Sequence, residues 1–183
     1  LSSLKYLSSS ILKFFKKRRD KKLRKIKDAL IKEASMSANK LYFELAVVAY
    51  ILSKITSKPR LTAPEYQDYL KDIEVGVREL TNAVRQGKKD TELFAYIKKI
   101  ESSVKKMEKV DQRFLRDIVS KGRLKLAATM YAQGLSLGIA SEMSGIEKQD
   151  IQDYSGNTMM FDRVKEEVKL KERLKKLKRY IGK

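Results

Sequence analysis

The stretch Leu41-Tyr42-Phe43-Glu44-Leu45-Ala46-Val47-Val48-Ala49-Tyr50-Ile51-Leu52 is the longest apolar run of the chain, interrupted only by Glu44. Leu41, Leu45, Val48, Leu52 and Ile55 recur at helical spacing, and Phe43, Val47, Tyr50 and Ile51 fill most of the other faces. A helix that is apolar nearly all round must be surrounded by others, so it predicts the middle of an all-α bundle. At twelve residues the run is shorter than the roughly 18 needed to span a membrane. No stretch shows the period-two alternation of a strand.

Upstream, Leu4, Leu7, Ile11, Leu12 and Phe15, then Leu23, Ile26, Leu30 and Ile31, mark a second helical stripe with a polar gap. The gap is the basic run Lys16-Lys17-Arg18-Arg19-Asp20-Lys21-Lys22-Leu23-Arg24-Lys25. One long basic helix, or two joined there, is expected over residues 1–35 as an extension from the body. As a single rod it would be roughly 45 Å long.

Downstream, Pro59 and Pro64 mark a connection, and Thr62-Ala63-Pro64-Glu65 has the form of a capping box with proline in the first turn. Tyr66, Leu70, Ile73, Val77, Leu80 and Val84 then alternate at four and three up to Gly87. Asp90 is placed to cap the next helix, whose seam is Leu93, Ile97, Ile100, Val104, Met107, Asp111, Phe114 and Ile118. The two seams predict a coiled-coil-like antiparallel hairpin within a body of residues 36–122, with Ser120-Lys121-Gly122 ending it. Asp111, the one charge in the seam, reads either as setting or splaying the register or as a functional carboxylate.

Beyond Gly122 glycines punctuate shorter periods: Arg123 to Gln133 before Gly134, Ser136 to Ser144 before Gly145, and Glu147 to Tyr154 before Gly156. Three short helices are expected over residues 123–156. The stretch Leu137-Gly138-Ile139-Ala140-Ser141-Glu142-Met143-Ser144-Gly145-Ile146-Glu147-Lys148-Gln149-Asp150-Ile151 places a small residue, Ser141, four before the turn Gly145. Apolar Ile146 and Ile151 follow, with Tyr154 one turn later. This segment, about Arg123 to Tyr154, resembles the helix-turn-helix of prokaryotic transcription factors and small antitoxins, and departs from it at Ser144, where that family has a larger apolar residue. The resemblance implies that the second helix of the pair faces a major groove, with Lys148, Gln149 and Gln152 as base-reading candidates. Glu147, Asp150 and Asp153 on the same surface oppose that role, because they meet phosphate with like charge.

Of the 183 residues 42 are Lys or Arg and 23 Asp or Glu, a net charge of +19, and the 36% charged fraction exceeds the usual quarter. Residues 1–35 carry twelve cations and three anions, residues 163–183 ten and three, so sixteen of the nineteen net charges sit at the two ends. Such blocks attract polyanions, although a lysine-rich surface of the kind found in thermophile proteins has the same composition. The candidates for phosphate contact are Lys16, Lys17, Arg18, Arg19, Lys21, Lys22, Arg24 and Lys25. A second patch is Lys171, Arg173, Lys175, Lys176 and Arg179, on a terminal basic helix expected over residues 157–183 from Met159 to Ile181, capped by Asn157 or Thr158. Tyr6, Phe14, Phe15 and Tyr180 lie near these charges and can stack on bases, but their helical spacing points to packing; Met159-Met160-Phe161 is expected in the core.

Histidine, cysteine and tryptophan are absent, which removes Cys/His zinc sites, thiol nucleophiles, Ser-His-Asp triads and disulfides. Glu44, Glu65, Asp68, Asp72 and Glu142 lack a partner loop or third ligand by spacing and are expected on solvated helix surface, so no enzyme, metal or cofactor is expected. The expectation is a non-catalytic nucleic-acid-binding or assembly factor taking DNA or RNA with low sequence specificity, with a cytoplasmic location. Its alternative is a protein-interaction scaffold, binding a protein partner or a second copy through the hairpin. In that reading the apolar face formed by Leu4, Leu7, Ile11, Leu12 and Phe15, opposite a serine-rich face and followed at once by the polybasic run, lies on an anionic membrane surface. Leu1 is not methionine, which leaves a segment removed upstream open.

Overall fold

The structure is a computed structural model and describes residues 2–164, apart from the side chains of Ser2, Ser3, Arg113 and Phe114. Every regular element among the described residues is helical. α1 is Ser2–Lys16, α2 Asp20–Ser37, α3 Lys40–Thr56, α4 Gln67–Arg85 and α5 Asp90–Val110. α6 is Gln112–Leu115, α7 Ile118–Ala132, α8 Leu137–Ser144, α9 Lys148–Asn157 and α10 Met160–Arg163. One apolar core runs from Leu7 to Met160, and no helix among the described residues is long and apolar enough to cross a membrane.

α3 occupies the place its composition demands. Phe43, Leu45, Val47, Val48, Leu52 and Ile55 are fully buried, and α1, α2, α5, α7 and α8 pack around it. Residues 1–35 are neither an extension nor a rod. Leu7, Ile11 and Phe15 of α1 and Leu23, Leu30 and Ile31 of α2 lie in the same core, and the basic run turns the chain between the two helices. At about 25 cal/mol per Å² of apolar surface, burying such side chains stabilises by roughly 1.5–3 kcal/mol each, more than a solvated rod recovers from helical hydrogen bonds.

α4 and α5 pair antiparallel, with Glu79 and Lys99 bridged at 2.7 Å across them. The seam ends earlier than the periodicity predicts. Asp111 leaves helical geometry at φ −132°, ψ 72°, and its carboxylate accepts from Tyr66 Oη at 2.8 Å and Arg60 Nε at 3.1 Å. It is a buried anchor that ties the 3₁₀ turns Pro59–Thr62 and Pro64–Tyr66 to the end of α5. No capping box forms at Thr62, whose hydroxyl donates to the Pro59 carbonyl, and Asp90 is the first residue of α5, with Lys89 in the cap position.

Gly122, expected to break the chain, lies inside α7. A Cβ there would stand 2.8 Å from Cδ1 of Tyr50, so glycine serves the close packing of α7 on α3. Gly156 likewise lies inside α9. The terminal helix does not start as predicted: Met159 is left-handed at φ 49°, α10 is one turn, and Val164 is extended. Of Met159-Met160-Phe161 only Met160 is buried, and Phe161 stands edge-on to Tyr131 with ring centroids 5.2 Å apart.

Candidate nucleic-acid interface

Helix α1 ends without glycine. Arg18 adopts φ 50°, the Arg18 N–H donates to the Phe15 carbonyl and the Arg19 N–H to the Phe14 carbonyl, both at 2.9 Å. This is the six-to-one and five-to-two pairing of a Schellman end, with arginine in the left-handed position that glycine takes at no steric cost. The guanidinium of Arg18 offsets that cost by reaching to the Pro59–Thr62 turn and the start of α4, donating to the Thr62 carbonyl at 3.0 Å and to Oε1 of Gln67 at 3.4 Å. Along the helices below, Thr81 donates to the Ser8 carbonyl at 3.3 Å and Arg85 to the Ser9 hydroxyl at 3.2 Å, so α1 lies antiparallel along α4.

All eight candidate cations of this corner are exposed, but they divide. Lys16 lies 3.6 Å from Glu74, Arg24 pairs with Asp20 at 2.9 Å, and Arg18 braces the turn. Lys17, Arg19, Lys21, Lys22 and Lys25 have no ion pair among the described residues. The nearby aromatics also divide: Phe15 is core, Phe14 packs half-buried against it, and Tyr6 is 68% exposed. Lys171, Arg173, Lys175, Lys176, Arg179 and Tyr180 lie outside the described residues.

The apolar face that a membrane-lying α1 would offer is occupied, and part of the opposite serine-rich face is covered too. Leu7, Ile11 and Phe15 are at most 6% exposed, and Ser8 and Ser10 are buried as well.

The second candidate surface is formed by α8 and α9. Ser136 caps α8 by accepting from the Ile139 N–H, and Gly145 ends it at φ 69°, with nothing within 4 Å of the Cβ that glycine lacks. Its backbone angle alone requires glycine. Ala140, Met143 and Ile151 are buried between α7, α8 and α9. Ser144, at the position where a larger apolar residue was expected, is buried and satisfied: its hydroxyl donates to the Ala140 carbonyl at 2.6 Å and accepts from the Ile146 N–H at 3.2 Å. Lys148, Gln149 and Gln152 are exposed, and the Gln149 amide donates to Asp153 Oδ1 at 2.8 Å.

Beneath this corner lies a cluster that spacing does not reveal. Arg123 of α7 donates to Glu44 Oε2 at 2.6 Å and Oε1 at 3.0 Å, to Glu101 Oε1 at 2.8 Å, and to the Ser144 carbonyl at 3.4 Å. Glu44 is not on solvated surface as expected; its side chain is 7% exposed, while Glu65, Asp68, Asp72 and Glu142 are exposed. Burial opposes the charge on Arg123, yet the hydrogen bonds and proximity of Glu44 and Glu101 hold its pKa above the ordinary value. One guanidinium thus serves two carboxylates and the end of α8. The signal in the sequence was the lone acid inside the apolar run, which must find a partner once that run is buried.

No protein-family model, no curated protein and no solved structure matches the chain.

Proposed function

We propose that the protein is a non-catalytic nucleic-acid-binding or assembly factor that attaches through the α1–α2 corner to a phosphate backbone with low sequence specificity. The observation that carries this reading is Lys17, Arg19, Lys21, Lys22 and Lys25 exposed without ion pairs among the described residues, on the turn braced by Arg18 and the start of α2. A braced turn spares part of the ordering cost of binding, and lysine and arginine side chains reach phosphates without reading bases. The buried apolar side of α1 favours this reading over insertion into a bilayer. In the same reading α8 and α9 form a helix-turn-helix-like module that packs on α7, with one amide N–H of Gln149 engaged by Asp153.

The test is a salt series of binding titrations on duplex DNA, single-stranded DNA and a structured RNA. Five phosphate contacts predict a log–log slope of about −4.5 on a duplex and roughly a 500-fold loss of affinity between 50 and 200 mM salt. Weak binding to all three at low salt would refute the reading. Flotation with anionic vesicles that survives high salt would favour the membrane alternative.

A further inference from the structure

A half-buried ammonium loses hydration and is ordinarily paired with a carboxylate. Where α2, α3 and α7 converge, Lys54 and Lys125 have no carboxylate within bridging distance among the described residues, and Lys27 has only one. The Ser35 hydroxyl of α2 donates to the Gln133 amide oxygen at the end of α7 at 2.6 Å. Eight residues earlier on both helices, about 12 Å along the pair at 1.5 Å per residue, stand Lys27 and Lys125. Lys54 enters from α3, its ammonium 5.5 Å from the centroid of the Tyr50 ring, and that ring packs on Gly122 one turn before Lys125. Arg163 comes from α10, which packs against α7.

The compensation is thin. Lys27 has a 19% exposed side chain and one carboxylate partner among the described residues, Asp28 at 2.6 Å, itself 67% exposed. Burial, then the neighbouring charges of Lys27 and Lys54, lower the pKa of Lys125; Asp28 acts the other way and Arg163 adds to the repulsion. Lys125 thus feels three other cations, each from a different helix, against the single opposing carboxylate of Asp28. Ammonium groups arriving from three helices match the several acceptor oxygens of a tetrahedral phosphate better than they match one another.

We propose that the convergence of Lys27, Lys54 and Lys125, with Arg163 as the fourth cation, is a binding site for a phosphate-type oxyanion. It is built independently of the α1–α2 corner and stands whether or not that corner binds nucleic acid.

The test is thermal unfolding of the full chain in inorganic pyrophosphate against sodium chloride at equal ionic strength. Pyrophosphate at about a hundred times its Kd is expected to raise Tm by about 5–10 °C. Lys125→Met and Lys54→Gln lose most of that rise, and Lys125→Met is no less stable than the parent in chloride because the charge it removes was repelled. A variant with Lys17, Arg19, Lys21, Lys22 and Lys25 all changed to Gln keeps the rise. The proposal is overturned by equal Tm of the parent in the two salts, by a rise that survives both lysine variants, or by a rise that vanishes with the corner variant. Should Lys125→Met fail to fold, Lys54→Gln decides alone.

Discussion

The α1–α2 corner and the α8–α9 corner both end a helix in the left-handed region, Arg18 at φ 50° in one and Gly145 at φ 69° in the other. From Lys16 to Lys25 eight cations accompany one carboxylate; from Glu142 to Asp153 four carboxylates accompany Lys148. The corner that resembles a DNA-reading motif is acidic, and the one with no such resemblance carries the positive charge. Shape and electrostatics are therefore separable here, and a backbone motif alone does not identify the surface that meets a polyanion. The supports differ as well. Gly145 needs none, whereas Arg18 is held by bonds to Thr62 and Gln67, and the α8 end rests on Arg123 between two carboxylates.

Removing the support under one corner has the largest expected effect. Arg123→Met leaves buried Glu44 and half-buried Glu101 without their cation and is expected to cost about 3–5 kcal/mol, lowering Tm by on the order of 10 °C. Hydrogen exchange should quicken in α8 and α9 before it does around Arg18; a uniform change along the chain would break the distinction between the corners. Next in size is the corner variant with five glutamines. Its affinity for duplex DNA or structured RNA should fall about 100-fold near 0.1 M salt with a flatter salt slope, while Tm stays within about 2 °C of the parent. Unchanged binding would move the electrostatic role elsewhere.

Gly145→Ala forces a Cβ into a left-handed turn and is expected to cost about 1–2 kcal/mol, or roughly 2–8 °C in Tm. Arg18→Gly relieves a similar strain but deletes two guanidinium bonds, so its Tm shift should be the smaller of the two. A large stabilisation by Arg18→Gly would show that the brace contributes little. The smallest effect is expected from Gln149→Ala and Gln152→Ala, each leaving nucleic-acid affinity within about twofold of the parent. Loss of preference for one duplex sequence on either substitution would make α9 a reader and erase the contrast.

Periodicity made α3, the α4–α5 pair and the helix ends at Gly134 and Gly145 legible, because each follows from residues within one or two turns of each other. The turn at Arg18 was not, since neither glycine nor proline marks it and its brace lies more than forty residues downstream. Gly122 looked like a break because its reason, the Tyr50 ring, is on another helix. Asp111 was visible as an anomaly in a seam, but its partners Tyr66 and Arg60 were not. The eight basic candidates near Arg18 were plain in the sequence; which of them are already engaged by Glu74, Asp20 or α4 was not.

What the amino-acid order determined by itself is therefore helical class, the central place of α3, the glycine-ended turns and the concentration of positive charge at two ends. These depend on spacing and count, which act locally or by simple addition. Only the tertiary structure decided that α1 and α2 fold back into the core, that Glu44 and Glu101 share Arg123, and that Lys27, Lys54 and Lys125 are brought together. Burial and charge compensation act through space, between residues that the chain separates by up to 98 positions, as at Ser35 and Gln133.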